Sequence, residues 1–371
     1  MKKAIIAGII AVLLVFGGVS AYAIQGLDES PGTRILAQDG YATLTTDKVG
    51  GSVTTTKSIL LNNSSVSQFG VHITDTYSVF TMDNEFVKSL VSKVTGNNVT
   101  FRFDYNGDKT AVTFEILDGK RSIFGSEGRC VGEIPYTAAD GVNPNHVMLT
   151  NPDGRSVGLC GYYPDASMIR WQLSGGGKYT VKVNAVAFDD VPINYWGKAY
   201  IEYLASKGVI NGMGNGNFEP DGSLTRAQFV TLLAMMSNDP LGGNVESFTD
   251  VDPSDWYYNA VAWAASAGVT SGYDDGTFRP EYKITREQVA RMVLNFYDYM
   301  NVDAVPVRSA DAFTDADTIS SWAANEVSIC QQLGIINGFP EGTFRPQGTA
   351  TRAEAATMCS RMVAHILILP Q

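Results

Sequence analysis

The chain has 371 residues, 44% apolar and 18% charged, a composition that excludes a disordered protein and leaves length for two or more domains with cores of their own. A net charge of −11 and a pI near 4.8 argue against nucleic acid as a partner, so an anionic ligand would have to be met by local cationic pockets. The four cysteines and three histidines show no metal-ligand spacing, and no cofactor is called for.

In chain order, the start "MKKAIIAGIIAVLLVFGGVSAYA" has Lys2 and Lys3, an apolar run from Ala4 to Phe16 and the small-residue site Ala21-Tyr22-Ala23. It reads as a secretory signal over residues 1–23, cleaved so that no membrane span remains. Residues 24–185 are rich in Thr, Val and Ser in short alternating stretches, which predicts a β-rich domain. Within it "DNEFVKSLVSK" predicts one helix, and Asn106-Gly107 predicts a hairpin turn. Asp104, Asn106, Asp108 and Glu115 approach the spacing of a calcium loop, but the glycine sits at the fourth position instead of the sixth, which favours the plain hairpin. An exported chain permits the pairings Cys130 with Cys160 and Cys330 with Cys359; buried free thiols are the alternative for the second pair. No nucleophile elbow, zincin or phosphate-loop motif occurs, so no enzymatic activity is expected.

After residue 186 the sequence repeats three times, over 186–240, 246–300 and 311–364. Phe188, Phe248 and Phe313 open the copies, and Trp196, Trp256 and Trp322 follow. Then come Gly208, Gly268 and Gly334, a loop ending in Phe-x-Pro, and a Thr-Arg pair. Each copy predicts a helix from near the Trp to the Gly, a loop, and a second helix N-capped by Thr225, Thr285 or Thr351, with Gln228, Gln288 or Glu354 completing a capping box. The second helices carry apolar stripes: Phe229, Leu232, Leu233 and Met236; Val289, Met292, Val293 and Phe296; Ala355, Met358, Cys359 and Met362. One hairpin cannot cover its own stripe, so the three are expected to meet in a shared bundle. The fold class is thus α+β multidomain, a β-rich domain followed by an all-α pseudo-threefold bundle of three helix-loop-helix repeats.

Arg226, Arg286 and Arg352 fall at the first helical position, where the positive end of the helix dipole disfavours a cation. Residue types leave two explanations open. Each guanidinium and the helix-start amides form a fork for an anion, or each Arg pairs with Asp190, Asp250 or Asp315 of a neighbouring copy. Trp196, Trp256 and Trp322 are equally open between core and a platform for sugar, and Gly212, Gly272 and Gly338 would allow close approach of a ligand to the backbone. The copies differ: Arg279 and Arg345 precede Pro280 and Pro346 where the first copy has Glu219, and Met213 stands where the others have Tyr273 and Phe339.

The pattern FxDV, W, GTFRP and TRAE resembles the S-layer homology module of bacterial surface proteins. The resemblance implies a secreted protein of the cell wall or surface layer. Its repeats would bind secondary cell-wall polysaccharide non-covalently in grooves, through a pyruvyl ketal, with self-association in a surface layer as a further implication. It assigns the carboxylate to Arg226, Arg286 and Arg352. The β domain is similar to small modules that precede such triplets, which implies a spacer; the alternative is an adhesin whose active part is the β domain. Unequal copies imply fewer than three competent grooves.

Overall fold

The computed structural model describes residues 33–38, 41–46, 51–65, 67–73, 78–106, 110–239, 241 and 248–367. The predicted leader, residues 1–23, lies outside them, as do Gly107 and Asp108.

The alternating stretches form two sheets. The first has, in spatial order, β1 (Thr33–Gln38), β2 (Tyr41–Thr46), β4 (Gln68–Ile73), β5 (Ser78–Asp83), β9 (Cys130–Pro135), β12 (Met168–Gln172) and β11 (Cys160–Tyr163). All its neighbours run antiparallel except β2 with β4. The second has β10 (Val147–Thr150), β13 (Gly177–Val183), β7 (Ala111–Asp118), β6 (Asn98–Tyr105) and β3 (Ser52–Thr56), with β8 (Arg121–Ile123) beside β7. Alternate residues of β6 and β7 are buried, so each strand turns one face to a common core. Phe80 of the first sheet meets Phe101, Phe103 and Phe114 of the second with ring centroids 5.1 to 5.2 Å apart, which makes the pair a sandwich. Helix α1 (Lys57–Asn62) follows β3, and α2 (Asn84–Lys93) is the predicted helix, N-capped by Asp83, which accepts from Phe86 N at 2.7 Å. β6 and β7 pair as the predicted hairpin.

The C-terminal half is helical: α3 (Lys198–Ser206) and α4 (Arg226–Ser237), α5 (Tyr258–Ser266) and α6 (Arg286–Tyr299), α7 (Ala324–Gln332) and α8 (Arg352–Leu367) are the three helix pairs. The first helix of each pair stops before Gly208, Gly268 or Gly334, all at φ near +70°, as a left-handed C-cap requires. All twelve stripe residues are buried in one cluster. The repeats are joined by a closed ring of backbone hydrogen bonds just before the second helices. Leu224 N donates to Ala350 O (3.0 Å), Ala350 N to Ile284 O (3.1 Å) and Ile284 N to Leu224 O (3.0 Å).

The two halves are docked through α3, where Tyr203 Oη donates to Cys160 O (2.6 Å) and Ser206 Oγ to Asn145 O (2.9 Å), and through the C-terminal ends of the second helices. Arg129 Nη2 donates to Ile366 O at 2.5 Å and Arg170 Nη1 to Leu367 O at 3.1 Å, so two β-domain cations meet the negative end of α8. Gly158 N donates to Asn238 Oδ1 at the end of α4 (2.7 Å), and Asn301, past α6, reaches Asp83 (3.4 Å). A Cβ on Gly158 would lie 2.5 Å from Met235 O, so glycine sets how closely the sandwich approaches. Val131 and Leu159 of the sandwich belong to the same apolar cluster as the helices.

The expected disulfides are not formed; all four cysteines are free and buried. Cys160 faces Trp171 across one strand, and Trp171 faces Gly132 on the next, so Cys130 and Cys160 stand two strands and two residues apart, about 10 Å or more at normal strand spacing. Cys330 instead points its thiol at Ala290 O, 3.7 Å away. Burial raises all four thiol pKa values, which keeps them inert.

Candidate functional site

The three second helices begin as the sequence predicts. Thr225 Oγ1 accepts from Gln228 N (3.2 Å) while Gln228 Oε1 accepts from Thr225 N (2.9 Å). The same reciprocal pair forms at Thr285 with Gln288 and at Thr351 with Glu354. The next two amides are not free, however, and here the fork of arginine plus open helix-start amides needs correction. Arg226 N and Ala227 N donate to Tyr282 O and Pro280 O; Arg286 N and Glu287 N to Gly348 O and Pro346 O; Arg352 N and Ala353 N to Gly222 O and Pro220 O. Loop carbonyls of the next repeat thus satisfy the orphan donors and offset the positive end of each helix, which is why an arginine is tolerated there.

Each arginine is buried and crosses to the next repeat. Arg226 Nε donates to Phe278 O (2.9 Å), Arg286 Nε to Phe344 O (2.8 Å) and Arg352 Nε to Phe218 O (2.7 Å), closing a circle from repeat 1 to 2 to 3 and back. Burial pushes each guanidinium pKa down, and nearby carboxylates partly restore it. No ion pair joins any of these arginines to Asp190, Asp250 or Asp315 among the described residues, so the expected Arg–Asp staple is also corrected. Each Asp instead holds its own repeat's loop. Asp250 accepts from Phe278 N (2.7 Å) and Arg279 N (2.8 Å), Asp190 from Phe218 N and Glu219 N, and Asp315 from Phe344 N and Arg345 N. Glu219, Arg279 and Arg345 stand at φ near +58°, a strained conformation for a side-chain-bearing residue, and the double hydrogen bond fixes it. The clamp sets the Phe peptide whose carbonyl the arginine then uses.

The expected role of the glycines changes too. A Cβ on Gly212, Gly272 or Gly338 would lie 2.2 to 2.8 Å from Phe188, Phe248 or Phe313, so these positions make room for the repeat's own opening Phe. The tryptophans are not core: Trp196, Trp256 and Trp322 are 58%, 63% and 43% exposed. The Arg291 guanidinium lies 5.7 Å from the Trp322 ring centroid, so that ring already carries a cation within the chain. The ring beside the motif arginine is another one. The guanidinium groups of Arg226 and Arg279 lie 4.7 and 3.9 Å from the Tyr273 centroid, and those of Arg286 and Arg345 lie 4.7 and 4.1 Å from Phe339. In the third groove Met213 offers no ring and Glu219 replaces the second arginine. These partners were visible in sequence as differences between copies; that they meet the arginine of the preceding copy was not.

A repeated helical module with a buried arginine at each inter-repeat groove, docked on a β sandwich, is the class that fold and site define. The S-layer homology domain profile matches residues 187–230, 247–290 and 312–356, so the chain carries three S-layer homology domains. The chain is 32% identical to the exoglucanase XynX of Acetivibrio thermocellus, over 74% of this chain and 28% of that protein, a likeness that extends beyond the repeats. It is 34% identical to an amylopullulanase of Thermoanaerobacterium thermosulfurigenes, over 56% of this chain and 12% of that protein. It is 35% identical to the S-layer protein sap of Bacillus anthracis, over 47% and 21%. The chain therefore spans about a quarter or less of the length of these relatives. The domains and the surface-layer relatives place the chain at the cell wall or cell surface. No helix among the described residues is long and apolar enough to cross a membrane.

Proposed function

We propose that the chain anchors itself non-covalently to the cell wall by binding an anionic secondary cell-wall polysaccharide, through a pyruvyl ketal, in grooves of a pseudo-threefold helical bundle. The observation that carries this reading is the circle of buried guanidiniums, each placed against the loop of the following repeat and, in two grooves, over an aromatic ring beside a second arginine. A guanidinium in a low-dielectric groove favours a carboxylate geometrically as well as electrostatically. The exposed tryptophans supply apolar faces for sugar. The β sandwich sits at the opposite ends of the second helices, about 20 Å away for 12 to 16 residues, so it would be displayed away from the wall without a catalytic role.

The test is co-sedimentation of the whole chain with cell-wall sacculi before and after chemical removal of pyruvyl groups, beside a triple Arg226→Gln, Arg286→Gln, Arg352→Gln variant checked by circular dichroism. Loss of pelleting in both arms is expected. A folded variant that pellets like the original would show the arginines to be structural only.

A further inference from the structure

Where the sandwich docks on the helices, a cavity of about 190 Å³ lies between β11, α3 and α8. Tyr162 and Tyr163 come from the sandwich, Tyr200 and Tyr203 from α3, Ser360 from α8, and Asn145 from the turn before β10. Ser360 is about 12 Å along α8 from Arg352, so the cavity is separate from the site built on the motif arginines. Three of the rings are fixed. Tyr203 Oη donates to Cys160 O (2.6 Å), Tyr162 Oη accepts from Ala138 N (3.2 Å), and Tyr163 folds over Gly161, where a Cβ would lie 3.2 Å from its ring. By contrast, the hydroxyls of Tyr163, Tyr200 and Ser360 and the side-chain amide of Asn145 make no hydrogen bond among the described residues. No acidic or basic side chain lines the cavity. Lys207, Arg361 and Arg170 lie 3.6, 5.6 and 5.4 Å from the centroids of Tyr203, Tyr200 and Tyr163, but outside the lining, so the ring surfaces that face the cavity are left uncovered.

We propose that this cavity at the junction of the two halves is a second binding site, and that it takes one uncharged sugar ring. Aromatic surfaces match the C–H faces of a pyranose, and the unpartnered hydroxyls and amide match its hydroxyl groups. A purely apolar ligand would strand those polar groups without partners, at a cost that selects against it. A charged ligand would leave water for a lining that offers no counter-charge, which selects against anions and cations alike. The volume is below the roughly 300 to 1,000 Å³ of pockets for larger ligands, so a single ring fits and a longer chain must run out along the surface. The site exists only in the docked chain, because neither half supplies all four tyrosines. It does not depend on the motif arginines.

The experiment is titration calorimetry of the whole chain with the methyl glycosides of glucose, galactose, mannose and N-acetylglucosamine, beside N-acetyltyrosinamide and N-acetylprolinamide as peptide rings. At least one glycoside should bind one equivalent with Kd of about 1 mM or tighter, as a ligand of that size allows. With no charge involved, the affinity should hold within about twofold between about 50 and 500 mM salt. Tyr200→Phe keeps the ring and removes its hydroxyl, and should weaken binding about threefold to tenfold. Ala364→Trp, at an exposed position of the lining, fills the cavity and should abolish binding. No binding of any glycoside, or binding that a folded Ala364→Trp variant leaves unchanged, would overturn the assignment. Binding of a peptide ring and no glycoside would overturn the sugar and make the junction a peptide site. Should Ala364→Trp not fold by circular dichroism, Tyr200→Phe decides, and an unchanged affinity overturns the proposal. None of these outcomes bears on wall anchoring, whose own test reads the motif arginines.

Discussion

Replacing Lys207 by methionine tests how the two halves are held together. The Lys207 ammonium is 1% exposed, lies 3.6 Å from the Tyr203 ring centroid, and donates to Val147 O and Tyr203 O at 3.3 Å each. The neighbouring carboxylate, Glu202, is engaged by Lys198 at 2.6 Å. Burial therefore dominates and lowers the Lys207 pKa from 10.5 to about 8. With the folded value below the unfolded one, the unfolded chain binds more protons between those two pH values, so this lysine's contribution to stability rises with pH through that window. At about 1.4 kcal/mol per pH unit the charged lysine costs about 3 kcal/mol at pH 7, of which about 2.5 is recovered by pH 10. The assay is urea unfolding of the natural chain and the Lys207→Met variant at pH 7 and pH 10, where groups common to both cancel in the difference. The natural chain should gain about 2 to 3 kcal/mol on the variant between the two pH values. A difference that stays constant within about 0.5 kcal/mol would refute the account of a buried, unpaired ammonium at the junction.

Other outcomes are expected from the same geometry. Asp250→Ala removes both hydrogen bonds that hold the Phe278–Arg279 peptide and should lower stability by about 2 to 3 kcal/mol in thermal unfolding, because charge-assisted bonds are lost at a strained residue. Gly338→Ala places a Cβ 2.6 Å from the Phe313 ring and should cost about 1 to 3 kcal/mol without any ligand present; unchanged melting would return the glycine to a ligand-access role. Trp196→Ala, at an exposed ring, should change stability by less than about 0.5 kcal/mol, so any loss of wall binding would report on contact with sugar. A thiol reagent should count four groups in denaturant and react with none in the folded chain; fewer than four in denaturant would reveal a bridge.

The local elements were legible because their causes are local. Thr225 and Gln228 form a capping box from residues three apart, Gly208 ends a helix by its own φ, and the stripe of Phe229, Leu232, Leu233 and Met236 needs no more than a 3.6-residue period. The docking surface was not read, yet it left a trace. Where copies 2 and 3 have Ala262 and Ser328, copy 1 has Glu202, and where they have Ala267 and Leu333 it has Lys207. Charged residues on one copy's helix face marked the face that a second domain covers. Arg129 and Arg170 gave no such sign, since their acceptors are the last carbonyls of a helix about 200 residues away.

By itself the sequence determined the threefold repeat, its helix-loop-helix units, the odd arginine at each second helix and the β-rich half before it. Only the tertiary structure decided what the arginines, aspartates and glycines do. The acceptor of each arginine lies in another repeat, on a carbonyl that every residue carries, so no side-chain pattern encodes it. Hydrogen bonds local to a turn of helix are written in the order of residues, whereas the partner of each guanidinium depends on which groups the packed repeats bring within about 3 Å of it.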